Sequence, residues 1–330
     1  MVKGKNKILV TGGTGFIGSN LIKRLYNERN EITVFAKNPS HPFLEGLKLK
    51  KIVGDVRDYD AVASAVKGCD YVYHLAACSL NSLKEKDEIF NVNVSGTENV
   101  MKASLKLGVK KIVHAGSCSA LGFVTNKKDS LNEEDCLDFK DQIYGQSKKL
   151  GEDKVQEYVK KGLNATIVIP AYVIGAGEID HRRFVIFQSI SRGRIKFTYP
   201  GSIGTVAVED LVDGFILAME KGKPGQRYIL SNRNIQLFDF YNLIAKIMNK
   251  PKIPIKLPRI SYYPMYFLGA ILQHTFKNSP LSTEVVRSTY NYRCYDSSKA
   301  QKELGWKPKI KLDESLRRAL EYYKAIGAID

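Results

Sequence analysis

Eight residues, Thr11-Gly12-Gly13-Thr14-Gly15-Phe16-Ile17-Gly18, restrict the fold of this chain more than any other stretch. Ahead of them, Lys7–Val10 is an apolar run of buried-strand length. Behind them, Ile17, Leu21 and Leu25 recur at four-residue spacing, as on the inner face of a helix. Gly12, Gly15 and Gly18 therefore stand where a strand turns into a helix, and each has a reason to be glycine: a tight turn, close approach of backbone to a pyrophosphate, and close packing of the helix on its strand. Free N–H groups and partial positive charge at the helix start make the same place an anion site. A bare turn would also use glycines, but strand, turn and helix in this order predict a dinucleotide cofactor. It would lie along Gly12, Thr14, Gly15, Phe16, Ile17 and Gly18.

The rest of the chain extends that pattern. Glu31–Ala36, Lys51–Asp55, Asp70–Ala77, Lys110–Ser117 and Ala165–Ile169 read as strands, with helices at 58–67, 84–107 and 141–161 between them. Gly68, Gly108 and Gly162 close those helices. Such alternation predicts an α/β chain, a Rossmann-type doubly wound parallel sheet with its ligands at the carboxyl ends of the strands. Beyond Pro170 the order becomes irregular: helices are expected near 183–191, 208–220, 237–248, 282–290, 297–304 and 312–323, and a strand at 226–230. Prolines at 251, 254, 258 and 264 predict an extended connection. The expected division is a cofactor domain at 1–170, with 205–230 returning to it, and a smaller, mostly helical substrate lobe from 171–204 and 231–330.

In NAD-specific folds an acidic residue near the end of the second strand bonds the ribose 2′-hydroxyl, whereas a basic residue suits a 2′-phosphate. Here the stretch reads Phe35-Ala36-Lys37-Asn38, so Lys37 points to NADP, with NAD the other possibility. The net charge of +17 is spread along the whole chain and accompanies no nucleic-acid-binding signature, which predicts a solvated basic surface and no nucleic-acid partner. Five cysteines show no metal-ligand spacing, so no metal is expected and the thiols read as reduced, as in a cytoplasmic protein; the N-terminus reads as no secretory signal. The apolar stretch 261–276 is too short for the roughly 20 residues that span a bilayer. It admits three readings: a core helix of the substrate lobe, a lid over an apolar substrate, or a membrane-surface contact aided by Lys256, Arg259 and Lys277.

Tyr144-Gly-Gln-Ser-Lys148 puts a tyrosine and a lysine on one face of a helix. A phenol titrates near 10, and a neighbouring ammonium favours its ionised form; lowering it by about 2–3 units takes roughly 3–4 kcal/mol, within reach of a partly desolvated charge. The tyrosine can then exchange a proton with a substrate oxygen while hydride moves at the adjacent carbon. Ser117, at the end of the fifth strand, would bond the same oxygen. Y-x-x-x-K alone is common on solvated helices. Following a dinucleotide fold and a strand-end serine, it marks an active site.

Taken together, T-G-G-T-G-F-I-G, G-D-V at 54–56, H-L-A-A at 74–77, N-V-S-G-T at 93–97, Ser117, Y-G-Q-S-K, and the late stretches Val208–Gly214 and Asp296–Trp306 resemble the extended short-chain dehydrogenase/reductase family. The likeness is closest to its dihydroflavonol 4-reductase-like proteins and hopanoid-associated sugar epimerases. The resemblance implies that Ser117, Tyr144 and Lys148 are catalytic, with Tyr144 and Lys148 also at the cofactor, where Lys148 holds the ribose. It puts Asp55 and Val56 at the adenine, Leu75, Ala76 and Ala77 at the ribose and pyrophosphate, and Pro170 and Val173 at the nicotinamide end. Asn93 would be a structural or proton-relay residue, Cys118 a buried small residue, and the helices holding Asn93 and Tyr144 a homodimer contact. Tyr172 and Gly204-Thr205-Val206 depart from the nucleotide-sugar enzymes and point away from a nucleotide-sugar ligand. The implied activity is an NADP-dependent oxidoreductase acting on a ketone or secondary alcohol of a small, fairly apolar substrate. The alternatives are a redox-neutral sugar epimerase or dehydratase and a non-catalytic cofactor-sensing module.

Overall fold

The computed structural model describes residues 6–27, 30–78, 86–126, 129–136, 142–178, 181–275 and 281–329. Strand β1 (Asn6–Thr11) passes through the glycine turn into α1 (Phe16–Leu25), followed by β2 (Asn30–Ala36), β3 (Lys50–Val53), α2 (Tyr59–Val66) and β4 (Tyr71–His74). A π turn at Asn91–Ser95 joins α3 (Lys86–Phe90) to α4 (Gly96–Lys106); β5 (Lys111–Ala115), α5 (Ile143–Lys160) and β6 (Ala165–Pro170) complete the alternating half. The later part comprises β7 (Tyr172–Ile174), α6 (His181–Ser191), β8 (Phe197–Thr198), β9 (Ser202–Ala207), α7 (Val208–Lys221), β10 (Arg227–Leu230), β11 (Arg233–Gln236), α8 (Leu237–Ile247), β12 (Ile255–Lys256), α9 (Tyr262–Thr275), α10 (Thr283–Tyr290) and α11 (Leu312–Ala325).

Among the described residues the main sheet has seven strands in the order β10-β6-β5-β4-β1-β2-β3. Every pairing in it is parallel. Parallel strands are covered on both faces, which is why β1, β5 and β6 are apolar along most of their length and fully buried at their centres. The strand order reverses between β1 and β4, and the crevice outside their carboxyl ends is the ligand position of such sheets. Local signals set the helix ends: Asp58 accepts from the backbone N–H groups of Asp60 and Ala61 to start α2, and Gly108, at φ +71°, follows the last turn of α4.

A second core lies in the C-terminal half, where Ile174, Phe184, Phe187, Phe240, Leu316 and Tyr323 pack between α6, α8 and α11. The segment around Trp306 behaves differently from the rest of 231–330. Ala300, Leu304 and Trp306 belong to the main core, and the Trp306 indole donates to the Asp210 carbonyl at 2.8 Å. Pro264, which suits an extended connection or a helix start by sequence, takes the second role. It occupies the first turn of α9, where a missing N–H breaks no helical bond. One face of α9 packs through Tyr262, Met265, Tyr266 and Leu272 on Leu281, Val286 and Tyr290, and the other faces outward, so a core helix describes only half of it. Phe276 and Lys277 lie outside the described residues. No helix among the described residues is long and apolar enough to cross a membrane.

Candidate active site

The glycine turn fits a pyrophosphate cradle by its packing. Gly12 sits at φ +66°, and a Cβ there would lie 2.6 Å from the Ala76 backbone nitrogen, so the turn is pressed against the exit of β4. A Cβ on Gly18 would run into the Gly12 carbonyl. Gly15 is the N-cap of α1, where no side chain caps the helix and no acid stands in the first turn, which leaves the positive end of the helix for an anion. Gly18→Ala is expected to destabilise the fold by about 1–3 kcal/mol, the usual cost of overpacking, and to weaken cofactor binding; thermal melts and a cofactor titration check both.

Thr14 Oγ1 donates to the Asn38 carbonyl at 3.0 Å and holds the loop after β2 against this turn. Lys37 on that loop lies 3.3 Å from Asp55 and 3.7 Å from Glu88, and Arg57 pairs with Asp55 at 2.6 Å. The Arg57 guanidinium, followed by Lys37, holds the Asp55 carboxyl well below the usual carboxylate range. Val56 is buried, its side chain against Gly96, and its carbonyl accepts from Asn99. Leu75 and Ala76 are half-buried and Ala77 exposed at the mouth of the crevice.

A buried hydrogen-bond chain crosses the crevice floor. The Ala76 N–H donates to Thr11 Oγ1 at 3.3 Å, Thr11 Oγ1 meets His74 Nδ1 at 2.7 Å, and His74 Nε2 meets Thr97 Oγ1 at 3.0 Å. Thr97 gives its own proton to the Asn93 carbonyl at 2.7 Å, so Nε2 carries the imidazole proton and Nδ1 accepts from Thr11. Burial pushes His74 down to about 3, and it stays neutral. Asn93 accepts from the Cys78 N–H at 2.7 Å and donates to the Cys78 carbonyl at 2.8 Å and to Ser147 Oγ at 2.9 Å. Its amide is fully engaged as a brace between the exit of β4 and α5, the structural one of its two expected roles.

Helix α5 comes close to the turn after β5 and to the π turn at Asn91–Ser95 through small residues. A Cβ on Gly145 would lie 2.6 Å from the Ser119 carbonyl, and one on Gly151 2.5 Å from the Asn93 carbonyl. The contact at Gly145 sets the first turn of α5, which carries Tyr144, against the turn that Ser117 caps by accepting from the Ser119 N–H at 3.2 Å. One turn further, Lys148 is 3% exposed, and its Nζ donates to the carbonyl of Ala115, the last residue of β5, at 2.5 Å. The lysine ammonium and the serine thus meet the same strand end. Burial lowers Lys148 to about 8, with the Glu152 carboxylate pulling the other way. Pro170 ends β6, and Val173 of β7 is 3% exposed. Cys118 is buried, and burial pushes its thiol well up, which fits a packing residue.

Sequence reasoning missed the charged layer beneath this trio. Glu152, one turn beyond Lys148 and 2% exposed, lies against Gly116 and 2.9 Å from Arg227 of β10. Burial pushes its carboxyl up, and Arg227 and Lys148 pull it back. Arg227 also donates to the Glu133 carbonyl, and the Glu133 carboxylate accepts from the Ile229 N–H at 2.8 Å. An acid within the otherwise small and apolar stripe of Gly151, Val155 and Tyr158 was the available signal.

Comparison with known proteins agrees with this geometry. Residues 8–231, more than half of the chain, match the NAD dependent epimerase/dehydratase family. The chain is 29% identical to the sterol demethylase protein B of Methylococcus capsulatus, covering 91% of this chain and 93% of that protein. It is 27% identical to a 3 beta-hydroxysteroid dehydrogenase/Delta 5→4-isomerase of Mycobacterium tuberculosis, covering 97% and 91%. A crystal structure of a nucleoside-diphosphate-sugar epimerase from Pseudomonas aeruginosa shares the fold at a TM-score of 0.80 with 21% identity, over 98% of this chain and 99% of that one. The protein is a member of the NAD dependent epimerase/dehydratase family, within the extended short-chain dehydrogenase/reductases, and an NAD(P)-dependent enzyme of that family.

Proposed function

We propose that this protein is an NADP-dependent oxidoreductase that reduces a ketone, or oxidises a secondary alcohol, on a small and fairly apolar molecule. The observation that carries this reading is the buried Lys148 ammonium on the Ala115 carbonyl, one helical turn from Tyr144 and at the strand end that leads to Ser117. When bound, the nicotinamide supplies or accepts hydride. Tyr144 exchanges the proton at the substrate oxygen, Lys148 favours its ionised form, and Ser117 donates a hydrogen bond to the same oxygen. Pro170 and Val173 wall the nicotinamide end, Leu75 to Ala77 the ribose and pyrophosphate, and Asp55 with Val56 the adenine.

Lys37, on the loop that Thr14 of the glycine turn holds through the Asn38 carbonyl, supports NADP as a cation for a 2′-phosphate; in this structure it pairs with Asp55 and Glu88. An apolar substrate is supported by the sterol and steroid names of the two relatives. Five free cysteines suit a reducing cytoplasm, and the homodimer through the helices of Asn93 and Tyr144 rests on the family resemblance.

Cofactor stoichiometry tests the activity. Incubated with a panel of apolar ketones, the enzyme is expected to consume one NADPH for each alcohol formed. Turnover of a sugar substrate without net NADPH loss would favour the epimerase or dehydratase reading instead, and unchanged biological activity of a Tyr144→Phe protein that still binds cofactor the sensing module. Lys37→Glu is expected to weaken NADPH binding about tenfold, one lost charge-assisted contact, and to spare NADH; equal affinities in the wild-type enzyme would refute the NADP assignment.

A further inference from the structure

We infer that α9 seats this enzyme on the surface of a bilayer that carries anionic lipid, an inference independent of the chemistry at Tyr144. Two separate observations meet at this helix. The first is an outward apolar stripe: Ile260, in the turn just before the helix, and Tyr263, Phe267, Leu268 and Ile271 on it are 78%, 75%, 69%, 43% and 48% exposed. Their spacing of three and four residues puts them on one side, opposite the face that packs on Leu281, Val286 and Tyr290. Contiguous bulky apolar groups of this kind mark a surface that meets something other than water.

The second observation is charge. From Asp239 to Glu284 the chain carries no acidic residue between those two, while Lys246, Lys250, Lys252, Lys256, Arg259 and Lys277 all fall in that interval. The first five are exposed; Lys250, Lys252, Lys256 and Arg259 lead into α9, whereas Lys246 on α8 shares a groove with Asp239, Asp313 and Arg317. An apolar helix face beside an acid-free basic segment is the arrangement of an interfacial helix, with side chains such as Phe267 in the acyl boundary and lysines at the phosphates. A second copy of the chain fits less well, because a two-fold contact would set this basic segment against itself. At 14 residues α9 lies in the interface and does not span it.

The position has a consequence for an apolar ligand. A cleft of about 400 Å³ opens beside the first turn of α9, lined by Phe123, Thr125, Arg259, Tyr262, Tyr263 and Tyr290 among others. Tyr263 belongs both to the exposed stripe and to the cleft, and Phe123 and Thr125 follow Ser117 in the chain. A molecule dissolved in the bilayer would therefore meet the cleft from its side.

Sedimentation of the full-length protein with vesicles tests the inference. Binding is expected to vesicles of phosphatidylcholine mixed with phosphatidylglycerol, to be much weaker with phosphatidylcholine alone, and to fall as salt is raised. The double substitution Phe267→Glu and Ile271→Glu is expected to abolish it. Lys250→Gln with Lys252→Gln is expected to weaken it about fivefold per cation removed. Both variants alter exposed side chains and should keep the wild-type melting temperature and cofactor affinity. Failure of the wild-type protein to bind the anionic vesicles would overturn the inference, as would unchanged binding by the Phe267→Glu, Ile271→Glu protein. So would a soluble wild-type dimer that the same double substitution splits and that shows no vesicle binding.

Discussion

Tyr144→Phe is expected to lower kcat by about 10²- to 10⁴-fold, the range of a lost general acid–base group, while leaving NADPH affinity unchanged. The substitution keeps the ring and removes the hydroxyl. The helix that carries it should hold its place, because Gly145 on the Ser119 carbonyl and Ser147 on Asn93 fix α5 independently of the phenol. Rapid-mixing kinetics with NADPH and a ketone substrate, together with a cofactor titration, separate the two quantities. A variant with near-wild-type kcat would remove Tyr144 from the chemistry.

The largest effect on stability is expected at Glu152. Glu152→Ala leaves the partly buried Arg227 guanidinium without its carboxylate, and breaking such a pair costs about 3–5 kcal/mol. Glu152→Gln keeps the volume and removes only the charge, so it reads the electrostatics. Lys148 stands at about 8 in the folded protein against its ordinary 10.5, so its ammonium is lost as pH rises through about 8, and kcat/KM of the wild-type enzyme should fall there. The Glu152 charge raises Lys148, and without it the alkaline limb should move to lower pH. Stability follows the same linkage with its own sign. Because the folded state binds fewer protons than the unfolded state between about 8 and 10.5, the cost of burying charged Lys148 is relieved as pH rises through that window. Rate profiles and thermal melts of the wild-type and Glu152→Gln proteins check both. An alkaline limb that does not move would show that Glu152 braces α5 without tuning Lys148.

The parallel half was readable because its central strands are buried on both faces and appear as apolar runs between glycine-ended helices. Even there the expected strand 70–77 ends at His74: Leu75 makes one last bond, from its N–H to the Thr11 carbonyl, and Ala76 turns to the Thr11 hydroxyl. The proposed trio Ser117, Tyr144 and Lys148 comes from residue types and order alone. The groups beneath it were not legible that way: the partner of Glu152 is on β10, far along the chain, and only the pairing of β10 with β6 brings Arg227 under α5. Thr11, His74 and Thr97 come from three separate elements, and their chain depends on the β1–β4 register. The lobe was least legible, because β8 and β12 have two residues each and periodicity has nothing to act on. For 261–276 the composition could not say which side of the helix would be covered.

A crystal structure with NADP⁺ bound tests the central claim most directly. The expected result is Lys148 Nζ within about 3 Å of a nicotinamide ribose hydroxyl, with Tyr144 and Ser117 facing the ring at the carboxyl end of β5. A nicotinamide lying outside that crevice, with Lys148 still bonded only to the Ala115 carbonyl, would contradict it.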